Sequence, residues 1–189
     1  MELRVARPDD GKGLQNIYEP IVTDTAISFE YVPPTADEMS ERVQTTIPHF
    51  PWLVADDAGI AGYAYAGPYA ARTAYRWSAS VSVYLREDAR GRGLGRQLYS
   101  ALFSLLEVQG YRQLVAGITL PNEASVRLHE SLGFRPVGTY RNVGWKLGAW
   151  HDVGHWQRTI DDDESPPEQP TAFADLAPDL LASALHRFS

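Results

Sequence analysis

The chain has no cysteine. That removes disulfides, thiolate zinc sites and a cysteine nucleophile, and it fits a reducing compartment. It also lacks any apolar run near the length of a membrane span. Met1-Glu2-Leu3-Arg4-Val5 does not have the basic-then-apolar form of a secretory leader, so a cytoplasmic location is expected. Positive charge is in deficit: 17 lysines and arginines face 24 aspartates and glutamates, a formal net charge of −7. A surface that binds nucleic acid by releasing counterions should be basic, so neither nucleic acid nor a membrane is expected as a partner.

What remains is 189 residues, 44% of them hydrophobic, enough for one domain with a substantial core and an appendage. Charge is unevenly placed. Asp161-Asp162-Asp163-Glu164 forms an acidic run, whereas Arg90, Arg92 and Arg96 gather around Gly91, Gly93 and Gly95. Before this glycine segment, Val81-Ser82-Val83-Tyr84-Leu85 is β-branched and aromatic, which predicts a strand. After it, Leu98, Leu102, Leu105 and Leu106 recur at helical spacing until Gly110 ends the run. Glycines between a strand and a helix let the backbone turn sharply and aim successive N–H groups at one point. The helix start adds its unpaired N–H groups and the positive end of its dipole. The segment is therefore an anion cradle suited to phosphate.

Spacing narrows the ligand. A P-loop would need Gly-Lys followed by Ser or Thr, and Gly95-Arg96-Gln97 places no hydroxyl for Mg²⁺. A dinucleotide fingerprint needs G-x-G-x-x-G, but the last position counted from Gly91 is Arg96. The pattern that fits is R/Q-x-x-G-x-G/A, from Arg90 through Gly93 to Gly95. It resembles the pyrophosphate loop of the Gcn5-related N-acetyltransferases, which hold acetyl-coenzyme A. Downstream, Gln113 to Ile118 reads as a buried strand, and Asn122-Glu123-Ala124-Ser125-Val126-Arg127-Leu128-His129 opens a helix with Asn122 as N-cap and Gly133 as its left-handed stop. This Asn-x-x-Ala…Gly-Phe arrangement is also similar to that family, whose Asn contacts the pantetheine arm.

The resemblance extends to a subfamily. Pro51-Trp52-Leu53-Val54-Ala55, Tyr63-Ala64-Tyr65-Ala66-Gly67-Pro68, Ala71 to Trp77, Ser125 to Glu130 and Gly148 to Gly154 look like the phosphinothricin N-acetyltransferases. These acetylate the α-amino group of small amino-acid analogues such as phosphinothricin and methionine sulfoximine or sulfone. The similarity spans roughly residues 1–160. It implies an α/β acyl-CoA N-acyltransferase fold, with a mixed central sheet, a splayed strand pair and flanking helices. It also implies acetyl-CoA as co-substrate and a homodimer.

The coarse pattern along the chain agrees with such a fold. Met1–Ala6 alternates as an edge strand, and Pro8 suits the first turn of a helix running to about Val22. Thr35 with Glu38 makes a capping box for a helix that stops before Pro48. Trp52–Ala55 and Ile60–Ala66 read as a hairpin, residues 67–79 as a connection, and Ser80–Leu85 as the strand before the cradle. Strands near Phe134–Tyr140 and Asp152–Ile160 follow. Residues 161–172, acidic and carrying Pro166, Pro167 and Pro170, read as an extended linker. In the 173–189 tail, Pro178 opens a short helix with Leu180, Leu181, Ala184, Leu185 and Phe188 as its apolar positions. So short a helix either docks or stays disordered.

The resemblance assigns roles residue by residue. Backbone groups of Val83, Tyr84 and Leu85 would pair with pantetheine. Arg90, Gly91, Arg92, Gly93, Leu94, Gly95 and Arg96 would hold the pyrophosphate, with Asn122 and Ser131 completing the cofactor side. His129 stands where the subfamily carries a catalytic histidine, and imidazole can donate or accept a proton near neutrality. Phe29, Arg72, Tyr75 and Ser78 would face the acceptor, with a guanidinium suited to a carboxylate or phosphinate. Core packing is the plainer reading of Phe29 and Tyr31. One position departs: the subfamily's general-base Glu before the fourth strand is replaced by Ser80, which is no base near pH 7 without an activating partner. The base would then be His129 through water or another carboxylate such as Glu30. His151 and His155 lie four apart on a strand, roughly 13 Å, too far for one zinc ion, so no metal is expected. The expected activity is direct N-acetyl transfer to the α-amine of a small amino acid. A weakly active or non-catalytic CoA-binding sensor or assembly protein is the alternative, and peptide N-acetylation a more distant one.

Overall fold

A computed structural model describes residues 1–186. Strand β1 (Glu2–Val5) leads through a 3-10 turn at Pro8–Asp10 into α1 (Gly11–Asp24), so the helix begins three residues later than Pro8 suggested. The Asp10 carboxylate is drawn away to Arg4, with two contacts at 2.8 Å, and to the Arg7 N–H at 2.7 Å. Helix α2 (Ala36–Thr46) opens on the capping box: Thr35 Oγ1 accepts the Glu38 N–H at 3.2 Å and Glu38 returns the contact at 2.7 Å. Strands β2 (Trp52–Asp56) and β3 (Ile60–Pro68) form the expected hairpin. Strand β4 (Ser78–Leu85) starts two residues before Ser80, and α3 (Leu94–Gln109) ends at Gly110 in a left-handed conformation.

Strand β5 (Gln113–Leu120), helix α4 (Glu123–Ser131) and strands β6 (Arg135–Lys146) and β7 (Ala149–Thr159) complete the domain. Both last strands are longer than the sequence pattern suggested. They meet at a two-residue turn in which Leu147 and Gly148 both have positive φ, as a twisted hairpin requires. Leucine is not a residue that signals such a turn, which is why residues 141–151 could not be read as one.

The seven strands run in the order β1-β2-β3-β4-β5-β7-β6, antiparallel except for β4 and β5. Alternation along the strands splits the core. On one face Leu53, Ala64, Ala79 and Val81 meet Leu98, Leu102, Leu105 and Leu106 of α3. On the other, Trp52, Val54 and Tyr63 meet Leu14, Ile17 and Val22 of α1 and Met39 and Val43 of α2. The parallel pairing of β4 with β5 stops after Ser78↔Gln113, Ala79↔Leu114 and Ser80↔Val115. Beyond Ser80 and Val115 the strands part, and that fork positions the site.

The segment after β7 runs extended across the surface and is tied down along its way. Arg112 donates to the Asp163 carbonyl, Trp77 Nε1 to the Glu168 carbonyl at 2.7 Å, and Gln109 Nε2 to the Thr171 carbonyl at 2.8 Å. Helix α5 (Pro178–His186) packs on α3. Phe173 and Ala184 enter the same apolar cluster, with Leu181 and Leu185 against it. Leu180, counted as an apolar-face position, is instead 44% exposed. Phe188 lies outside the described residues. No helix among those residues is long and apolar enough to cross a membrane.

Candidate active site

At the head of α3, Gly91 and Gly93 have φ of +75° and +80°, a conformation that side chains with a Cβ resist. A Cβ on either would meet nothing within 4 Å, so both backbones face open space. Gly95 differs: its Cβ would come within 3.2 Å of Leu128 and 3.5 Å of Leu85, so its small size lets α3 approach α4 and β4. The cradle is thus two exposed turning glycines followed by a helix N-terminus. Arg90, Arg92 and Arg96 are exposed around it. Arg90 Nε lies 3.4 Å from the Leu85 carbonyl, and Arg96 donates to Ser131 Oγ at 2.8 Å, joining two residues of the expected cofactor side. Asn122 caps α4 by accepting the Ser125 N–H at 3.2 Å.

Between the diverging strands lies a narrow cleft of about 60 Å³. Val81, Ser82, Val83 and Tyr84 line one wall, Gly117, Ile118 and Thr119 the other, with Asn122, Ser125 and His129 from α4, Tyr99 from α3 and Ile27 beside them. With no β5 partner in this stretch, the β4 backbone has hydrogen-bonding groups directed into the cleft. The Tyr84 side chain turns to the opposite face and packs edge-on against Tyr18 at 5.1 Å.

His129 is 3% exposed. Its Nδ1 lies 2.8 Å from the Ser125 carbonyl and its Nε2 3.0 Å from the Tyr99 hydroxyl. A carbonyl only accepts, so the partners assign the proton to Nδ1; Nε2 then accepts from Tyr99. Burial lowers the His129 pKa and outweighs the opposing pull of the Ser125 carbonyl, which keeps the ring neutral. Burial of Tyr99 raises its phenol well above the ordinary range. Sequence reading passed over Tyr99, because a tyrosine among leucines on a helix reads as core.

Ser80 sits at the fork, where β4 last pairs with β5, and its hydroxyl lies 3.3 Å from the Gly67 carbonyl and 3.4 Å from that of Pro68. It meets no base and does not line the cleft with His129. Glu30 is a poor substitute base. Arg42 engages both its oxygens at 2.9 Å and Tyr18 adds a third contact at 2.9 Å; the Arg42 hydrogen bonds, then Tyr18, overcome burial and lower its pKa. Tyr18 itself is pushed up to about 12, chiefly by burial.

The loop between α1 and α2 packs on β6 and β7. Lys146 at the end of β6 is buried and donates to the Ser28 carbonyl at 2.6 Å; burial lowers its pKa against the pull of Glu30. Phe29 lies over Gly144, where any Cβ would overlap its ring, and 6.3 Å from the His151 ring. Tyr31 donates to the Trp145 carbonyl. The sequence held no signal for Lys146, whose partner is 118 residues away. Arg72 and Tyr75 belong to the connection before β4 and Ser78 to the first position of that strand, and none of the three lines the cleft. Arg72 and Tyr75 are exposed, the latter edge-on to Tyr69 at 5.4 Å, and Ser78 opens the strand. His151 donates to the Lys146 carbonyl at 2.9 Å while His155 packs on Tyr140 at 5.1 Å, so the two histidines have separate partners.

The chain is similar to known proteins. The family model described as an acetyltransferase (GNAT) domain matches residues 3–155. The phosphinothricin N-acetyltransferase of Streptomyces viridochromogenes is 41% identical over 162 residues, 85% of this chain and 88% of that protein. The L-methionine sulfoximine/L-methionine sulfone acetyltransferase of Pseudomonas aeruginosa is 35% identical over 168 residues, 87% of this chain and 98% of that one. Among solved structures, a GNAT superfamily phosphinothricin acetyltransferase from Sinorhizobium meliloti in complex with AcCoA superposes with a TM-score of 0.83 at 35% identity, covering 94% of this chain and 95% of that chain. With the glycine cradle, the β4–β5 fork and a family match over most of its length, the chain belongs to the GNAT acetyltransferases.

Proposed function

We propose that the protein transfers the acetyl group of acetyl-CoA directly to the α-amine of a small amino acid or analogue of the phosphinothricin or methionine sulfoximine type. The observation that carries this reading is the fork. It opens the β4 backbone to a thioester on the side of the cradle and leads on the other side to the roof of Ser28, Phe29 and Glu30. The pyrophosphate belongs on the N–H groups of Gly91 to Arg96, ringed by the three arginines, with the pantetheine arm along Val83 to Leu85 and Asn122. Arg72, Tyr75, Ser78 and Phe29 border the acceptor's approach, and an exposed guanidinium suits its anionic group. With Ser80 inert and Glu30 saturated, the amine needs no strong base. The α-ammonium of a free amino acid is more basic than the about 7.7–8.0 of a chain-terminal one, so only a small fraction is neutral near pH 7.5, and water in the cleft takes the proton of the rest. Bond formation is then limited by positioning and by polarisation of the acetyl oxygen.

The same reading includes a homodimer in the cytoplasm. Support for the dimer is the outer strand β6, an unpaired sheet edge with Val137, Tyr140, Val143 and Trp145 all exposed. Function is tested by following CoA release from acetyl-CoA across a panel of amino acids, methionine sulfone, methionine sulfoximine and phosphinothricin. Acceptor-dependent turnover without a burst supports direct transfer. Tight CoA binding with no acceptor-dependent release would instead favour the non-catalytic CoA-binding alternative that Ser80 raises.

A further inference from the structure

The segment after β7 lies beyond the matched acetyltransferase domain, yet it is fastened at the joint of the fork. β4 and β5 pair only from Ser78 and Gln113 to Ser80 and Val115, and the residues just before the two strands are Trp77 and Arg112. The Trp77 carbonyl accepts the N–H of Arg112 at 2.9 Å and that of Gln113 at 3.2 Å, while the Arg112 carbonyl accepts the Ile160 N–H at 2.8 Å. The segment then bridges the side chains of both residues. The Arg112 guanidinium donates to the carbonyl of Asp163 and, at 3.3 Å, to that of Ser165, and it pairs with the Asp161 carboxylate at 3.5 Å. Further on, the Glu168 carbonyl accepts Trp77 Nε1 at 2.7 Å. Gln109 Nε2 then holds the Thr171 carbonyl at 2.8 Å, and Phe173 is buried in the core. Side chains of the domain thus grip the main chain of the segment, which acts through its path more than through its acidic side chains.

We propose that residues 161–171 clamp the closed end of the fork and that Trp77 is the positioning residue through which the clamp fixes the acceptor side. The inference rests on the acetyltransferase reading above, in which Arg72 and Tyr75 border the acceptor's approach. Their connection is held from within. Tyr75 meets Tyr69 edge-on, Arg76 Nε donates to the Thr73 carbonyl at 3.2 Å, and the Arg76 guanidinium lies 5.5 Å over the Trp77 ring. An indole tied to a carbonyl 91 residues away in sequence cannot rock with that connection. Arg76, and through it the Thr73–Tyr75 turn, therefore keeps one position relative to the fork. The cradle is out of reach of this effect. It follows Leu85, the far end of β4, and seven strand residues from Ser78 span about 23 Å. The clamp acts on the acceptor and not on CoA.

The test uses two variants of the full chain. Trp77→Phe keeps an aromatic ring beneath Arg76 and removes the donor. Arg112→Met frees the segment at its other anchor and leaves the side chains of the connection intact. Each should raise the acceptor KM by about fivefold, the size of one net hydrogen bond, with kcat and the CoA Kd within about twofold of wild type. Both cut the same clamp, so the double variant should exceed either single one by less than about twofold, whereas independent effects would multiply to about 25-fold. Should Trp77→Phe fold poorly, hydrogen exchange of the Trp77 indole N–H carries the test, read by NMR in wild type and in Arg112→Met. Exchange should be about tenfold faster in the variant. An acceptor KM within about twofold of wild type in a folded Trp77→Phe, a CoA Kd that moves as far as the acceptor KM, multiplying effects, or equal indole exchange rates overturns the inference while the enzyme stays active. A wild type that binds acetyl-CoA and turns over no acceptor overturns the acetyltransferase reading, and the positioning role falls with it.

Discussion

Replacing Gly93 with alanine separates the cradle's part in folding from the phosphate binding proposed for it. Gly93 has φ +80° at the N-cap of α3, and its carbonyl accepts the Gln97 N–H at 3.1 Å. An added methyl meets no protein atom, so the folding cost is only the left-handed backbone, about 1–2 kcal/mol. At roughly 2–4 °C per kcal/mol for a domain of this size, Tm should drop by about 2–8 °C. The ligand feels more. The methyl occupies the open space over the loop and keeps phosphate oxygens from the first N–H groups of α3. Each charge-assisted hydrogen bond lost is worth about 1.5–3 kcal/mol, so losing one weakens CoA by roughly 10- to 150-fold. Calorimetric titration with CoA and a thermal melt on the same sample read both quantities. A lowered Tm with a CoA Kd within twofold of wild type would refute the assignment of the cradle to phosphate. Gly95→Ala is the internal contrast: its methyl would press on Leu128 and Leu85 rather than on the ligand.

Ser80→Glu restores a carboxylate at the fork and should raise kcat/KM for phosphinothricin near pH 7 by about 100-fold if general-base catalysis is what the chain lacks; an unchanged value in the same CoA-release assay shows that it is not. In the wild type, the acid limb of kcat/KM should follow the acceptor amine, lying above the about 7.7–8.0 of a chain-terminal α-amine for ordinary amino acids and moving down with less basic acceptors. A limb fixed across acceptors would point to a protein base. Arg4 binds Asp10 and Asp56 at 2.8 Å with little of its side chain exposed. Arg4→Met should therefore cost about 2 kcal/mol, below the 3–5 kcal/mol of a fully buried pair. For Asp10, burial pushes the pKa up but the Arg4 and Arg7 hydrogen bonds win. For Asp56 the Arg4 bond leads, and both carboxyls fall below 3.8. Their contribution is complete above that pH and lost as pH falls through the lowered values, so urea melts of wild type and variant should converge in acid. A gap that does not narrow as pH falls below 3.8 would contradict the ion-pair origin.

Much of the fold was legible because the residues that build it repeat locally. The leucines of α3, the Thr35–Glu38 box and the β2–β3 hairpin each announce themselves within a dozen residues. The cradle was legible for the same reason, since its glycines and the helix they start are neighbours in sequence. The extended linker and the short helix opened by Pro178 were legible too, but their docking was not, because its anchors are distant: Glu168 meets Trp77 and Thr171 meets Gln109 only after the chain has folded. Nor was the β6–β7 turn, where Leu147 adopts a positive φ that sequence gives no reason to assign to leucine.

The loop between α1 and α2 follows the same rule in reverse. Lys146 and Ser28, or Phe29 and Gly144, meet across more than a hundred residues, and nothing in a local pattern couples them. His129 shows where the boundary falls. Its place four residues after Ser125 on a helix fixes the Nδ1 partner from sequence geometry alone, because the i−4 carbonyl is within reach of the ring. The Nε2 partner comes from another helix, 30 residues earlier, and is invisible until α3 and α4 pack. The first contact decides the tautomer, and the second joins two rings that both line the cleft. Sequence could therefore supply the histidine, but what its second nitrogen meets belongs to the packing of α3 against α4.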